Sequence, residues 1–330
     1  MTSGQAFSTY LLRRAFYALL TLLTVIVLNF LLPRLLPGSP ADILAAGSRL
    51  GALKAAQLTK QFGLDQPLQV QFLKYLAGIF QFPPNFGYSY QYQQPVYNVV
   101  MTKLPWTVFL IGTATVITAA VGLFVGLICA FRRGSRLDVA NITVAMVLWT
   151  VPYFWLALIM LWIFGVDLGW VPFVGNLFVT SSSETFTQFA LDALSHSILP
   201  IASIVITTYA QYTLVMRSTT LDVIREDFIT VAKAKGLPAR QIIFKHVAKN
   251  ALLPMITLIA LNLGYVVSGA ILVEIVFSYP GVGYLVYQAV TNHDYPLIQG
   301  TFFILAVAVI SANFLADALL AVIDPRIRYR

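Results

Sequence analysis

The chain has 330 residues, 58% of them hydrophobic and only 10% charged, with a net charge of +8 and a mean hydropathy of +0.79. Soluble domains carry roughly 25% charged residues, so a soluble globular protein is excluded and an all-α polytopic membrane protein is indicated. The basic balance is explained by charge bias in membrane loops, with no nucleic acid implied.

Residues 1–14 form a basic N-terminal tail ending in Arg13 and Arg14. The uncharged run Ala15–Pro33 follows. It has the look of a signal peptide, but it is longer than a signal core and no small-x-small cleavage site follows it. It reads as a retained first span over 15–36. Further charge-free runs are Leu104–Phe131, Val139–Val166, Ala193–Met216, Asn250–Val273 and Tyr295–Ala316; the last span is taken past Asp317 to about 321. Each reaches the ~20 residues that cross a bilayer core, which gives six spans within a membrane domain over 99–321 and a tail at 322–330. Cys129, the only cysteine, lies inside a run and reads as an inert packing residue. Pro152, Pro200 and Pro254 sit in or at the edge of spans and can kink them.

Six spans put both termini on one side. Fifteen of the 21 Lys and Arg residues then share that side and six lie opposite. This asymmetry places both termini in the cytoplasm. The first outer segment, 37–98, is long enough to fold as a small extracytoplasmic unit. Gln57–Phe62 and Val70–Phe80 look helical, separated by a turn at Gly63–Pro67, and Gln81–Gly87 reads as irregular. Tyr88, Tyr90, Tyr92 and Tyr97 mark either a partner-facing surface or an aromatic belt.

Between the fourth and fifth spans, Arg225–Lys249 is the longest polar stretch of the second half. Asp227–Lys235 suits a helix. Gly236 supplies a stop at positive φ, and Pro238 suits the start of a second helix. In that helix Ala239, Ile242, Ile243 and Val247 share one face, with Lys245 and Lys249 on another. The stretch is an amphipathic elbow. Beyond the fifth span, Pro280, Gly281 and Gly283 break the helix, and Tyr284–Val290 is too short to cross; it reads as a surface or re-entrant helix. Asn29, Gln211, Asn262 and Asn313 are embedded polar groups, either bonded between helices or lining a pore. Glu274 and Asp317, near span ends, are solvated or mark a pathway.

The chain has no phosphate-binding G-x-x-x-x-G-K-[ST], no G-x-S-x-G and no H-E-x-x-H. His196, His246 and His293 are far apart, so no shared metal site is expected. No span carries a charge at its middle, which suits a conduit that holds cargo weakly. A stand-alone secondary transporter or channel is the alternative class; it calls for inverted repeats or intramembrane coupling charges, and neither is visible.

The elbow resembles the EAA loop of binding-protein-dependent ABC importer permeases. The matching residues are Ala232, Ala234, Lys235, Gly236, Leu237, Ile242, His246 and Asn250 to Pro254. Leu36–Pro40, Gly63–Pro67, Arg132–Ser135, Glu274-x-x-Phe277-x-x-Pro280-Gly281-x-Gly283, Asp294–Pro296 and Asp324–Arg326 extend the likeness to the B-type permeases of dipeptide and oligopeptide importers. It runs from about residue 10 to 329. The resemblance implies the type I ABC importer permease fold in a prokaryotic inner membrane, and a transporter subunit that is not itself an enzyme. It implies a second homologous permease, two cytoplasmic ATPases that hold ATP and Mg, an extracytoplasmic solute-binding protein and lipid as partners, with no cofactor on this chain. It assigns coupling to Ala232, Ala234, Lys235, Gly236, Leu237 and His246, with the small Ala232 facing the ATPase cleft. Candidates for the pathway or outer gate are Asn262, Glu274, Phe277, Pro280, Gly281 and Gly283.

Overall fold

The computed structural model describes residues 3–35, 60, 65–170, 185–252, 254–256, 258–259 and 271–323. Among them the regular elements are helical, apart from one isolated antiparallel bridge between Tyr88 and Pro95. In chain order they are α1 (Ser3–Leu35), α2 (Leu68–Ile79), α3 (Val96–Phe131), α4 (Arg136–Thr150) and α5 (Tyr153–Met160), which runs on as a wide π turn, Leu161–Asp167. Then follow α6 (Phe186–Ile224), α7 (Asp227–Ala234), and α8 (Ala239–Gln241), which continues as a π turn, Ile242–Val247. The last are α9 (Ile271–Val276), α10 (Val282–Thr291) and α11 (Tyr295–Ile323).

Four helices, α1, α3, α6 and α11, hold stretches long and apolar enough to cross a membrane. They cover the first, second, fourth and sixth predicted runs. In the third run α4 and α5 meet at a 98° bend, at the place where Pro152 was expected to kink the span. Pro152 is the cause. Its φ is −60°, it brings no N–H to the helix, and it drives Val151 into the extended region at φ −79°, ψ 124°. Counted as one broken span, the pair makes a fifth crossing candidate among the described residues. The fifth predicted run is described only in pieces, and Asn262 lies outside the described residues, as does Gln57–Phe62 apart from residue 60.

The chain divides into two compact units. One holds Met1–Arg14, Val108–Tyr279 and Ala312–Arg330; the other holds Ala15–Thr107 and Pro280–Ser311. The core of the first is Leu127, Tyr212, Met216, Ala251 and Met255, with Ala119, Leu123, Val223, Ile243 and Ala248 packed against it. It depends on the close approach of α3 to α6. Gly122 and Gly126, spaced Gly-x-x-x-Gly, lie on the α6 backbone. A Cβ on Gly122 would overlap the Cβ of Tyr212, and one on Gly126 would come within 2.7 Å of Met216 Cβ and the Thr213 carbonyl. Small residues at this spacing let membrane helices touch backbone to backbone.

In the second unit α2, predicted at 70–80, packs beneath the end of α1. Asn29 donates to the Tyr75 hydroxyl at 2.9 Å and to the Gln299 carbonyl at 2.7 Å, which is the interhelical bonding expected of an embedded amide. Arg34 donates to Gln71 Oε1 at 3.0 and 3.1 Å, and Phe30 meets Phe72 edge to face at 5.0 Å.

The α3–α6 approach gives a direct test. Gly126→Ala adds one methyl where backbone and Met216 already sit, and overpacking of this kind costs roughly 1–3 kcal/mol. Gly112→Ala, on the same helix, meets nothing within 4 Å. Thermal unfolding in detergent should show a clear drop for Gly126→Ala and none for Gly112→Ala; equal behaviour would refute the close contact.

Candidate functional site

Helix α6 has 39 residues, so at 1.5 Å per residue it is about 58 Å long, nearly twice the ~30 Å hydrocarbon core. It is therefore too long to lie wholly within the core along the normal, and its C-terminal end carries the elbow directly, with only Arg225 and Glu226 between α6 and α7. Glu226 occupies the N-cap of α7 in an extended conformation, and Asp227 adds negative charge to the first turn, where the helix dipole favours it.

The end of α7 is built as a Schellman motif. Gly236 has φ +73°, the left-handed conformation expected for it. Its N–H reaches the Lys233 carbonyl at 2.9 Å, and the Leu237 N–H reaches the Ala232 carbonyl at 3.4 Å. Leu237 then folds back on the small core of the elbow, formed by Ile229, Ala232, Ile242 and Val247, with Val223 and Ile224 also packed there. Pro238, at φ −64°, is the N-cap of α8 rather than part of its first turn. The angle between the two halves is thus fixed by two backbone bonds and a closed apolar cluster.

The coupling candidates separate by exposure. Ala234, Lys235 and Gly236 are exposed, Leu237 and His246 are half-buried, and Lys245 and Lys249 are exposed as the face assignment predicted. Ala232 is a correction. It is 5% exposed and belongs to the elbow's own core, so it does not present itself to a partner. In the second half Ile242 and Val247 are buried, whereas Ala239 is exposed. The outward apolar surface consists of residues that the sequence reading did not single out: Phe228, Val231 and Phe244, 42%, 52% and 58% exposed. The i, i+3 spacing of Phe228 and Val231, on a face beside that of Ile229 and Ala232, was the available signal.

A second feature absent from the sequence reading supports α6 from the side. Asp138 is 2% exposed and takes a forked pair from Arg217, Nε to Oδ1 at 2.7 Å and Nη2 to Oδ2 at 2.8 Å. Gly134, at φ +77°, donates its N–H to Oδ2 at 2.9 Å, and the Ser135 hydroxyl caps α4 by accepting from the Asp138 N–H. A planar fork matched to a carboxylate fixes orientation as well as charge. The pair ties the start of α4 to α6 two turns before the elbow.

The outer-gate candidates are packed rather than open. Glu274 is fully buried, so it is not solvated, and Phe277 is 8% exposed; both lie in the first unit. There the Tyr279 N–H bonds the Glu274 carbonyl at 2.8 Å, and the buried Tyr279 hydroxyl meets Ser197 Oγ at 3.1 Å. Pro280, Gly281 and Gly283 are buried in the second unit, and the Val282 N–H is held by Thr107 Oγ1 at 2.7 Å. Asp317, the other ionisable group near a span end, pairs with Arg14 at 3.2 Å.

The tyrosine tract is partly tied down within the second unit. Buried Asp294 accepts from Ser89 Oγ at 2.5 Å, from the Gln91 N–H at 3.1 Å and from the Leu297 N–H at 3.2 Å. The Tyr92 hydroxyl donates to Gln288 at 2.7 Å. Burial pushes the Tyr90 phenol well above its ordinary value, and the Asp294 carboxylate adds to the shift, so that hydroxyl stays neutral. Tyr88 remains 60% exposed. Among the described residues no group of three His, Cys, Asp or Glu side chains is placed to hold a metal ion.

Residues 122–329 match the family described as the inner membrane component of binding-protein-dependent transport systems, and residues 7–111 match the N-terminal family of the same membrane components. A di/tripeptide transport system permease protein of Pseudomonas aeruginosa is 34% identical, over 98% of this chain and 99% of its own. A glutathione transport system permease protein of Salmonella paratyphi A is 35% identical, over 97% and 99%. An oligopeptide transport system permease protein of Bacillus subtilis is 33% identical, over 98% and 100%.

The Asp138–Arg217 fork carries its own test. Arg217→Gln leaves a buried carboxylate without its partner, which costs on the order of 3 kcal/mol. Asp138→Asn combined with Arg217→Gln should recover part of that loss. Unfolding midpoints of the two single variants and the double variant, read as a cycle, check this; strict additivity would mean the pair does not interact.

Proposed function

The chain belongs to the inner membrane component family of binding-protein-dependent transport systems and is a permease subunit of an ABC importer, and from that premise we propose that it forms half of a translocation pathway for di- or oligopeptides. The names of its relatives support the substrate class: two act on peptides by name, and glutathione is itself a peptide. The other half is a second, homologous permease. Two ATPase subunits on the cytoplasmic side hold ATP and Mg, and an extracytoplasmic solute-binding protein delivers cargo. The chain crosses the inner membrane six times in the type I arrangement, with both termini and the elbow in the cytoplasm and 37–98 outside.

The observation that carries this reading is the elbow. Two short helices, locked by the turn at Gly236, sit at the end of a helix long enough to reach out of the membrane. Phe228, Val231 and Phe244 form an apolar outward face with Ala234 and Lys235 beside it. A cleft on an ATPase that closes around this face would move the elbow as one body, and α6 with it. Ala232, Leu237 and the buried face of the second half act as positioning residues that keep the body rigid. His246 sits half-buried beside them. Glu274 and Phe277 in the first unit, and separately Pro280, Gly281 and Gly283 in the second, are candidates for the pathway or outer gate.

Substrate uptake and ATP hydrolysis by the assembled importer in vesicles test this reading. Gly236→Val places a β-branched residue at φ +73°, where L residues are strained by about 1–2 kcal/mol. It should cut peptide uptake about tenfold while the chain still inserts. Gly236→Asn, which tolerates the left-handed region, should be mild. Ala232→Asp, which forces a charge into the elbow core, should act like Gly236→Val. Lys249→Gln, on an exposed position, should change little. Full coupled uptake in both Gly236→Val and Ala232→Asp would sink the coupling role.

A further inference from the structure

Behind the elbow lies a groove that coupling does not use. It has a volume of about 410 Å3. Its floor is made by the last turns of α3 and α6, with Ala130, Phe131, Leu221 and Ile224, and its far wall by Ile229, Ile242, Ile243 and Val247. Three cations, Arg133, Arg225 and Lys233, line it as well, and all three are exposed. The nearby acids Asp222, Glu226 and Asp227 do not line it. Arg225 and Lys233 show no side-chain hydrogen bond or ion pair among the described residues.

We propose that this groove binds the headgroup and upper acyl chain of an anionic phospholipid of the cytoplasmic leaflet. The inference rests on the orientation given above. The chemistry of the lining is amphiphilic in the sense a phospholipid needs. Apolar walls continue the surface of two membrane-length helices at their last turns, and three cations line the same groove. Basic pockets between membrane helices on the cytoplasmic side take anionic headgroups, and each cation near such a surface favours an anionic lipid. The volume suits a headgroup and a few methylenes. It is too small for an α-helix, about 10–12 Å across, so a docking helix of an ATPase does not fill it. The outward face of Phe228, Val231 and Phe244 does not line it and stays available to the ATPase. A lipid here would wedge between the ends of α3 and α6 and the inner face of the elbow, and so would support the angle that the Gly236 turn sets.

The test uses the complete importer, exchanged into mixtures of phosphatidylcholine and phosphatidylglycerol and examined by native mass spectrometry for retained lipid. The wild type should retain phosphatidylglycerol in preference to phosphatidylcholine, and added salt should release it. Arg225→Gln with Lys233→Gln should weaken retention on the order of thirtyfold. Lys249→Gln should leave it unchanged, and the charge-preserving pair Arg225→Lys with Lys233→Arg should retain it. Equal retention in the wild type and the Gln pair, or no preference for phosphatidylglycerol, overturns the proposal. Loss of ATPase subunits with phosphatidylglycerol still bound also overturns it and assigns the groove to the ATPase. Failure of the orientation is read separately: a cysteine at Ser135, in a Cys129→Ser background, would then label from outside right-side-out vesicles.

Discussion

One left-handed residue governs how the elbow at the end of α6 is built. Gly236 turns the backbone so that the carbonyls of Ala232 and Lys233 are satisfied and Leu237 returns to the face it came from. Without that return Ile229 and Ala232 would have no partner in Ile242 and Val247. Each half is too short to be a stable helix alone, since isolated helices below about 12–15 residues are marginal in water. The turn converts two marginal pieces into one body with its own core, and only a rigid body transmits displacement.

The remaining structure of that unit connects this body to the membrane domain. Val223 packs against both the elbow core and the larger core of Leu127, Tyr212, Met216, Ala251 and Met255, so the two cores share a side chain. The Gly122–Gly126 contact brings α3 onto α6 at Tyr212–Met216, with no side chain on the α3 side. The Asp138–Arg217 fork adds a directional tie from α4. Movement of α6 is therefore constrained on three sides, and the pieces that move with it are named residues. A permease subunit of an importer family that works with ATPase partners needs such a path if it is to move with them.

Much of this was legible in the sequence, for physical reasons. A bilayer demands about 20 apolar residues, so α1, α3, α6 and α11 announce themselves. Gly and Pro punctuate chains locally, so the elbow, its stop at Gly236 and the break at Pro280–Gly281 were visible too. What stayed hidden depends on partners distant in sequence. Asp138 closes a loop by composition, and nothing local says that it pairs with a residue 79 positions away. Ala232 is small and flanked by lysine, which is compatible with either face of a helix; the position of Ile242 decides it. Pro152 marked a kink, but its 98° magnitude depends on how the helices on both sides pack. Burial of Glu274 was misjudged because distance from a span end says little about what folds over it.

The central claim is that the elbow is the surface an ATPase grips. The most direct measurement places a photo-cross-linking residue at Val231, which points outward and lies outside the elbow core, in the fully assembled importer. The account predicts a covalent product with an ATPase subunit, whose yield changes when ATP is bound. A product with lipid alone, or one whose yield is indifferent to the presence of ATPase subunits, would contradict it.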